Sequence, residues 1–190
     1  MDKLTKQERS ILLWFARAAI KNELSGKQVD EVEPPIPDRL MQHNATFVTL
    51  TKFGALRGCV GSLEPKLPLA EDVKEHAVAA AIHDYRFPPV QLSELEDIEI
   101  EISRLTIPEK VDFQDPEELI EIIKPQIHGV VIYYGSHRAT FLPQVWEKIP
   151  EPEEFLGNLC RKMGFSQNLW REVHLTVYTY QVEEFSERDN

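Results

Sequence analysis

The run Ile98–Leu105 constrains the fold more than any other stretch of the chain. Ile98, Ile100 and Ile102 alternate with Glu99, Glu101 and Ser103. Side chains of a strand point alternately to opposite faces, so this period of two specifies a strand with one apolar and one polar face. Other strand-like runs are joined by hairpins. ATFVTLTKFGALRGCVGSLEP at 45–65 reads as two strands around a turn near Lys52–Gly54, with Phe47, Val48 and Leu50 before the turn and Leu56, Val60 and Leu63 after it. Gly129–Tyr134 and Arg138–Leu142 flank Gly135-Ser136, a hairpin signature. Leu175–Phe185 reads as one final strand carrying Val177, Tyr178, Tyr180 and Val182, and Ser186–Asn190 as a frayed end.

The helical segments fall between these strands. Thr5 with Glu8 fits a capping box, Ile11, Trp14, Phe15, Ala18 and Ala19 recur at helical spacing, and Gly26 is the expected stop. DEVEPPIPDRL at 30–40 reads as an extended surface loop, because Pro34, Pro35 and Pro37 cannot sit inside a helix. A second helix is expected from Leu69 to about Arg86. Its small face of Val73, Ala77, Ala80 and Ala81 could lie close on a sheet, and Phe87-Pro88-Pro89 ends it. Asp115 caps a short helix through about Lys124, with Pro116 in the first turn. Glu153–Met163 is a longer helix broken by Gly164, with Cys160 on the apolar stripe of Phe155, Leu156 and Leu159. Helices alternating with hairpin-joined strands specify an α+β fold with a mixed, mostly antiparallel sheet, and argue against a doubly wound parallel one.

Composition narrows the function by exclusion. The 190 residues suit one domain, or two small lobes sharing a core, and such a chain buries enough surface to fold without disulfides or a structural metal. Lys+Arg is 21 against Asp+Glu 32, a formal charge of −11 that repels polyphosphate, and no aromatic–basic interleaving offsets it. Nucleic acid is therefore an unfavoured partner. Cys59 and Cys160 form neither a disulfide framework nor a zinc spacing, and the histidines show no ligand spacing, so no metal is expected. The opening MDKLTKQERS lacks a signal-peptide pattern. VAAAI at 78–82 falls far short of the ~20 apolar residues that span a bilayer. A soluble, cytoplasmic protein with no membrane partner is the expectation. There is no Walker loop, GxGxxG or GxSxG, so no cofactor is expected either. The acidic runs at 94–101 and 147–154 read as solvated faces.

Chemistry concentrates in three places. In LRGCVGSLEP at 56–65, Gly58 and Gly61 flank Cys59 within a strand-like run, where glycine signals a bend or a close approach. Arg57 and Cys59 share one side of a regular pleat, so the guanidinium could bind an anion or stabilise a thiolate. The simpler reading makes Cys59 a core residue, the glycines a bulge, and Arg57 the partner of an internal acid. In HDYRFPPV at 83–90, Asp84, Arg86 and Phe87 stand where a helix meets a rigid exit. They serve a ligand, or else Asp84 pairs with Arg57 or Arg86 to fix helix to sheet. In PQIHGVVIYYG at 125–135, His128 precedes a strand and could be the base for a nucleophilic Cys59, or a hydrogen-bonded loop residue.

Five segments in order carry a family resemblance. LRGCVGSLEP, RFPP at 86–89, IEISRLTIPE at 100–109, HGVVI with FLPQVW, and FLGNLCRKMG at 155–164 resemble the AMMECR family, also called system protein A of the AmmeMemoRadiSam set. The resemblance spans about residues 8–185, and its hallmark is Leu56–Gly61. Tyr85 stands where the family has proline and Val60 where it commonly has isoleucine. The resemblance implies an α+β fold of one domain over 1–190, with a larger lobe from both chain ends, a smaller inserted lobe, and a cleft holding the LRGC segment. It also implies companionship with a Memo-like dioxygenase relative and a radical-SAM protein. The resemblance implies no particular reaction, and the residues themselves leave two functions open. One is a cleft that binds a small anionic ligand or a protein or peptide partner through Arg57, Gly58, Gly61, Asp84, Arg86 and Phe87, as accessory to a modification pathway. The other is an enzyme with Cys59 as nucleophile, Arg57 and Arg86 as anion binders and His128 as proton carrier.

Overall fold

The first helix begins and ends where its own side chains and backbone specify. In the computed structural model, which describes residues 2–27 and 32–189, α1 spans Lys6–Ser25. Thr5 Oγ1 accepts from Glu8 N at 3.2 Å while Glu8 Oε2 accepts from Thr5 N at 2.7 Å, and Gly26 closes the helix at φ 64°. Residues 30 and 31 of the proline-rich loop lie outside the described residues. Its remainder is extended until a 3-10 turn at Asp38–Met41.

The chain divides into two units, the first formed by residues 1–107 and 183–190, the second by residues 108–182. In the first, β1 (His43–Lys52) turns through Phe53 and Gly54, both at positive φ, into β2 (Ala55–Gly61). β3 (Leu67–Pro68) adds a short pairing to the start of β1. α2 follows at Leu69–Ile82, then a 3-10 turn at Leu92–Asp97 and β4 (Ile98–Leu105). α2 stops four residues short of the expected end. His83 caps it, freeing residues 84–86 for other bonds. β1 pairs antiparallel with both β2 and β4, so β1 is central and β2 is an edge of the order β2-β1-β4-β9, in which β9 is Val182–Ser186.

Val48, Leu50, Ile100 and Ile102 face the core beneath α1 and α2 and are fully buried. Their neighbours in sequence therefore populate the opposite face. The expected small face of α2 does lie on the sheet. Val73, Ala77, Ala80 and Ala81 are buried, and a Cβ at Gly58 would stand 2.1 Å from the Ala80 carbonyl oxygen.

The second unit contains β5 (Glu109–Val111), α3 (Pro116–Ile122), β6 (Gly129–Tyr134), β7 (His137–Phe141), α4 (Pro152–Lys162), α5 (Leu169–Glu172) and β8 (Thr176–Tyr180). Its antiparallel sheet has the order β5-β8-β6-β7. Trp146 and Phe155 stack at its centre, 3.6 Å apart, each contributing roughly 1.5–3 kcal/mol of burial. Cys160 is fully buried beside them, as the apolar stripe implied.

Two expectations for the chain's end are corrected. Leu175–Phe185 is not one strand. It breaks at Gln181 into β8, in the second unit's sheet, and β9 (Val182–Ser186), which pairs with β4 in the first. Residues 187–189, which follow β9, are not frayed. Arg17 Nε holds Glu187 at 2.5 Å, Glu187 Oε2 accepts from Ile100 N at 2.9 Å, and residues 187–189 make a 3-10 turn. Among the described residues no helix is long and apolar enough to cross a membrane.

Candidate functional site

The predicted residues of LRGCVGSLEP and HDYRFPPV meet at the outer edge of β2. An edge strand presents unpaired N–H and C=O groups that must find partners or invite another strand. At Cys59 both are met by side chains. Asp84 Oδ2 accepts from Cys59 N at 2.9 Å, and Arg86 Nη2 donates to Cys59 O at 3.3 Å. Arg86 also grips Asp84 through Nε at 2.8 Å and Nη2 at 2.6 Å. Asp84 thus pairs with Arg86, not Arg57. Its carboxyl lies well below the usual range, chiefly through Arg86 and, against the cost of burial, through the N–H groups of Cys59 and Arg86. Phe87 is half-buried, with Arg86 above its ring at 5.5 Å.

The two arginines differ in what they have left to offer. Arg57 spends its fork internally, with Nη2 to Glu94 Oε2 at 3.0 Å, Nε to Glu94 Oε1 at 3.4 Å and Nη1 to Pro88 O at 2.9 Å. Its side chain is 13% exposed. Glu94, also held by Lys52 at 3.2 Å, is pulled down to about 2, chiefly by Arg57 and then by Gln91 N. The acidic run at 94–101 is therefore not simply a solvated face. Arg86 is 45% exposed, and its Nη1 makes no bond among the described residues.

The strand is not a regular pleat at Arg57. The register passes from Leu50↔Gly58 to Thr51↔Leu56, which leaves Arg57 as the extra residue of a bulge and breaks the expected alternation with Cys59. Gly58 and Gly61 are both close approaches. A Cβ at Gly61 would lie 2.4 Å from Thr46 O and from the Phe47 ring.

Cys59 is half-buried and accepts from Thr49 Oγ1 at 3.4 Å. Thr49 lies directly opposite Cys59 on one side and Glu101 on the other. The half-buried Glu101 carboxyl is pushed up to about 7, first by burial and then by Glu184, Glu99 and Asp189. Thr49, Glu94 and Glu101 were missed in the sequence, because only strand register and a distant turn bring them to this place. The one local signal for Glu101 was its position on the polar face of the Ile98–Leu105 strand.

His128 belongs to the second unit. Its Nδ1 accepts from Lys124 N at 3.2 Å, which puts the proton of the neutral ring on Nε2. Burial and Lys124 lower its pKa. Its carbonyl accepts from Trp146 Nε1 at 2.7 Å. These bonds match the loop reading of this residue.

Two other features hold none of the predicted residues. Thr46, Asp72 and His76 form a closed cluster under α2, with Thr46 Oγ1 donating to Asp72 at 2.6 Å. A groove of about 620 Å³ is lined by Trp14 and Arg17 of α1, Leu95 and Glu187. Among the described residues no group of three or more His, Cys, Asp or Glu could hold a metal ion.

The antiparallel sheet under two helices, with an arginine–carboxylate edge around a Gly-Cys-Val-Gly strand, defines an α+β protein of a particular kind. The AMMECR1 family profile matches residues 13–185, and the chain belongs to that family. A Thermofilum pendens protein is 39% identical to it over 98% of this chain and 93% of that one. Protein MJ0810 of Methanocaldococcus jannaschii is 37% identical over 98% and 94%. The crystal structure of the uncharacterized protein PH0010 from Pyrococcus horikoshii superposes with a TM-score of 0.88 at 34% identity, covering 98% of this chain and 94% of that one.

Proposed function

We propose that this AMMECR1-family protein binds a small anionic group, free or on a peptide or protein partner, at Arg86 beside Cys59. An accessory role in a modification pathway, alongside Memo-like and radical-SAM companions, is part of the same proposal. One observation carries it. Arg86 is held rigidly by Asp84 and the Cys59 carbonyl, yet stays 45% exposed with Nη1 uncommitted among the described residues. A pre-oriented guanidinium loses little entropy on meeting an anion. Arg57, by contrast, positions the 88–94 loop against β2.

The test is a thermal-shift titration of the full chain with inorganic phosphate and with N-acetyl-aspartate. Stabilisation in wild type and Cys59→Ser, and its loss in Arg86→Gln, is the expected result. Stabilisation that survives Arg86→Gln, or none in wild type, overturns the reading.

A second reading is favoured by the Thr49 hydroxyl that donates to Cys59 Sγ. Such a donor stabilises a thiolate, and Cys59 would then act as a nucleophile. Iodoacetamide labelling of the native chain, read by mass spectrometry, tests this. Rapid labelling of Cys59 with Cys160 protected supports it, and a Cys59 inert until unfolding removes it.

A further inference from the structure

The turn that joins β1 to β2 keeps an aromatic side chain in a conformation it does not favour. Lys52 pairs with Ala55, which leaves a two-residue turn of Phe53 at φ 52° and Gly54 at φ 79°. A hairpin turn with both central residues at positive φ is ordinarily built from asparagine, aspartate or glycine. A bulky side chain there strains the backbone, and burial does not offset that strain, because Phe53 is 81% exposed. Strain kept for an exposed aromatic points to a use outside its own chain.

Two exposed leucines and a groove share this corner of the first unit. Glu94, in the 3-10 turn at Leu92–Asp97, holds Lys52 at 3.2 Å and Arg57 at 3.0 Å. Phe53 follows Lys52 in sequence, Leu56 precedes Arg57, and Leu92 stands two residues before Glu94. Leu56 and Leu92 are exposed, as Phe53 is. Leu92 is also part of the groove of about 620 Å³, with Leu13, Trp14 and Ala18 of α1 and Leu95 of the turn. The groove is preformed. Arg17 of α1 donates to Leu95 O at 2.9 Å and to Ile98 O at 2.7 Å, which fixes the spacing between helix and turn. Its volume falls among concave sites that take an apolar group.

We propose that this corner is a self-association surface, in which Phe53 of one copy seats in the groove between Trp14 and Leu95 of a second copy. The chain itself carries both halves of the contact. Phe53 does not line its own groove, yet ring and groove are tied to the same 3-10 turn. A two-fold axis near that turn brings each Phe53 to the other copy's groove and closes the assembly at two chains. Charge fits as well. The Lys52 ammonium, 5.8 Å from the Phe53 ring centroid, arrives with the ring, and the exposed Glu96 on the groove's lip presents a carboxylate to it. Two such rings bury roughly 300–500 Å² and the leucines add to it, which stays at or below the ~1,200 Å² of the smallest stable interfaces. The dimer is therefore weak, and the net charge of −11 opposes it further. Neither Cys59 nor Arg86 takes part, so this contact is separate from the readings above.

The test is sedimentation velocity of the full chain over a range of concentrations. Wild type is expected to pass from monomer to dimer with a Kd of about 10–100 µM. Phe53→Gly suits the positive φ, so it keeps the fold and weakens the dimer about tenfold or more. Ala18→Arg, at a half-buried position of the groove wall, weakens it as much. A wild type that stays monomeric well above this range, a dimer that both variants retain, or assembly beyond two chains overturns the proposal.

A second measurement reads the contact itself and needs no loss of binding. The photoreactive residue p-benzoylphenylalanine, placed at position 53, keeps an aromatic ring in the turn. Illumination of the purified chain should give a covalent dimer whose joined peptides, read by mass spectrometry, contain groove residues of 10–21 or 92–96. A covalent dimer joined through other segments, or no covalent dimer, overturns the proposal.

Discussion

The two units treat polar groups in opposite ways. Among the described residues, every buried acidic or basic side chain, including Asp72, His76, Asp84, Arg104 and Glu183, belongs to the first unit. The second unit closes on Trp146, Phe155, Leu159 and Cys160, and there His128 Nδ1 accepts from Lys124 N. A packed apolar interior holds a shape. A polar interior under a sheet is where pairing and burial move proton affinities, because a buried charge survives only with partners. The sites worth testing therefore lie in the first unit, and the difference between units can be broken at graded expense.

The largest effect is expected at Glu183. Its Oε1 accepts from Leu4 N at 2.8 Å and Arg9 Nη2 at 2.9 Å, and Oε2 faces Arg104 Nε at 3.2 Å with both side chains buried. These bonds tie the two chain ends to β4. Glu183→Gln leaves Arg104 buried without its countercharge and should cost about 3–5 kcal/mol in urea unfolding. A loss under about 1 kcal/mol would mean that the polar interior is not what holds this unit together.

Close packing of β2 against α2 comes next. Gly58→Val puts a Cβ 2.1 Å from the Ala80 carbonyl, which is helix backbone and cannot swing aside. A loss of about 3 kcal/mol or more is expected, and unchanged melting would mean that β2 can shift away from the helix.

The pH dependence is the third and more moderate effect, and its two limbs have opposite signs. Asp84 and Glu94 have depressed folded values, so their stabilisation is present above about pH 4 and lost as the pH falls toward 2. Glu101 has a raised folded value. Its contribution is complete below its unfolded value of about 4.3 and is lost as the pH rises through about 7. Stability should thus be greatest near pH 4–5. It should fall by about 1–3 kcal/mol toward pH 8, the figure discounted for the partial exposure of Glu101. Glu101→Gln should flatten the upper limb alone. An upper limb unchanged in that variant would place the titration elsewhere.

What the sequence disclosed and what it withheld divide along the same physical line. The Thr5 cap, the Gly26 stop, the Phe53–Gly54 turn, the Asp115 cap and the Ile98–Ile102 alternation depend on residues a few positions apart, and each is where the pattern put it. The break at Gln181 left no local mark. No glycine or proline stands between the two segments, and it is the choice of sheet that separates β8 from β9. At the site, Cys59, Asp84 and Arg86 were legible as neighbours, but the partner of Arg57 was not. Glu94 lies far along the chain and reaches Arg57 through a 3-10 turn that carries no strong periodicity. Thr49 and Glu101 likewise become neighbours of Cys59 only through pairing register.

The smallest stability effects separate the two thiols most sharply. Cys160 is fully buried and its thiol is pushed up by that burial, so replacing sulfur by a hydroxyl leaves a polar group in an apolar core. Cys160→Ser should cost about 1–3 kcal/mol. Cys59 is half-buried beside a hydroxyl and a guanidinium, partners a serine can also use, so Cys59→Ser should stay within about 0.5 kcal/mol. Chemical reactivity should run the other way, with Cys59 alkylated in the native protein and Cys160 only on unfolding. If the stability costs were equal, the thiol at Cys59 would be filling space as Cys160 does. The polar row across β2, β1 and β4 would then be a consequence of sheet register with no bearing on chemistry. If Cys59→Ser is silent in stability and Cys59 labels in the native wild type, the first unit has placed a thiol where packing does not need one.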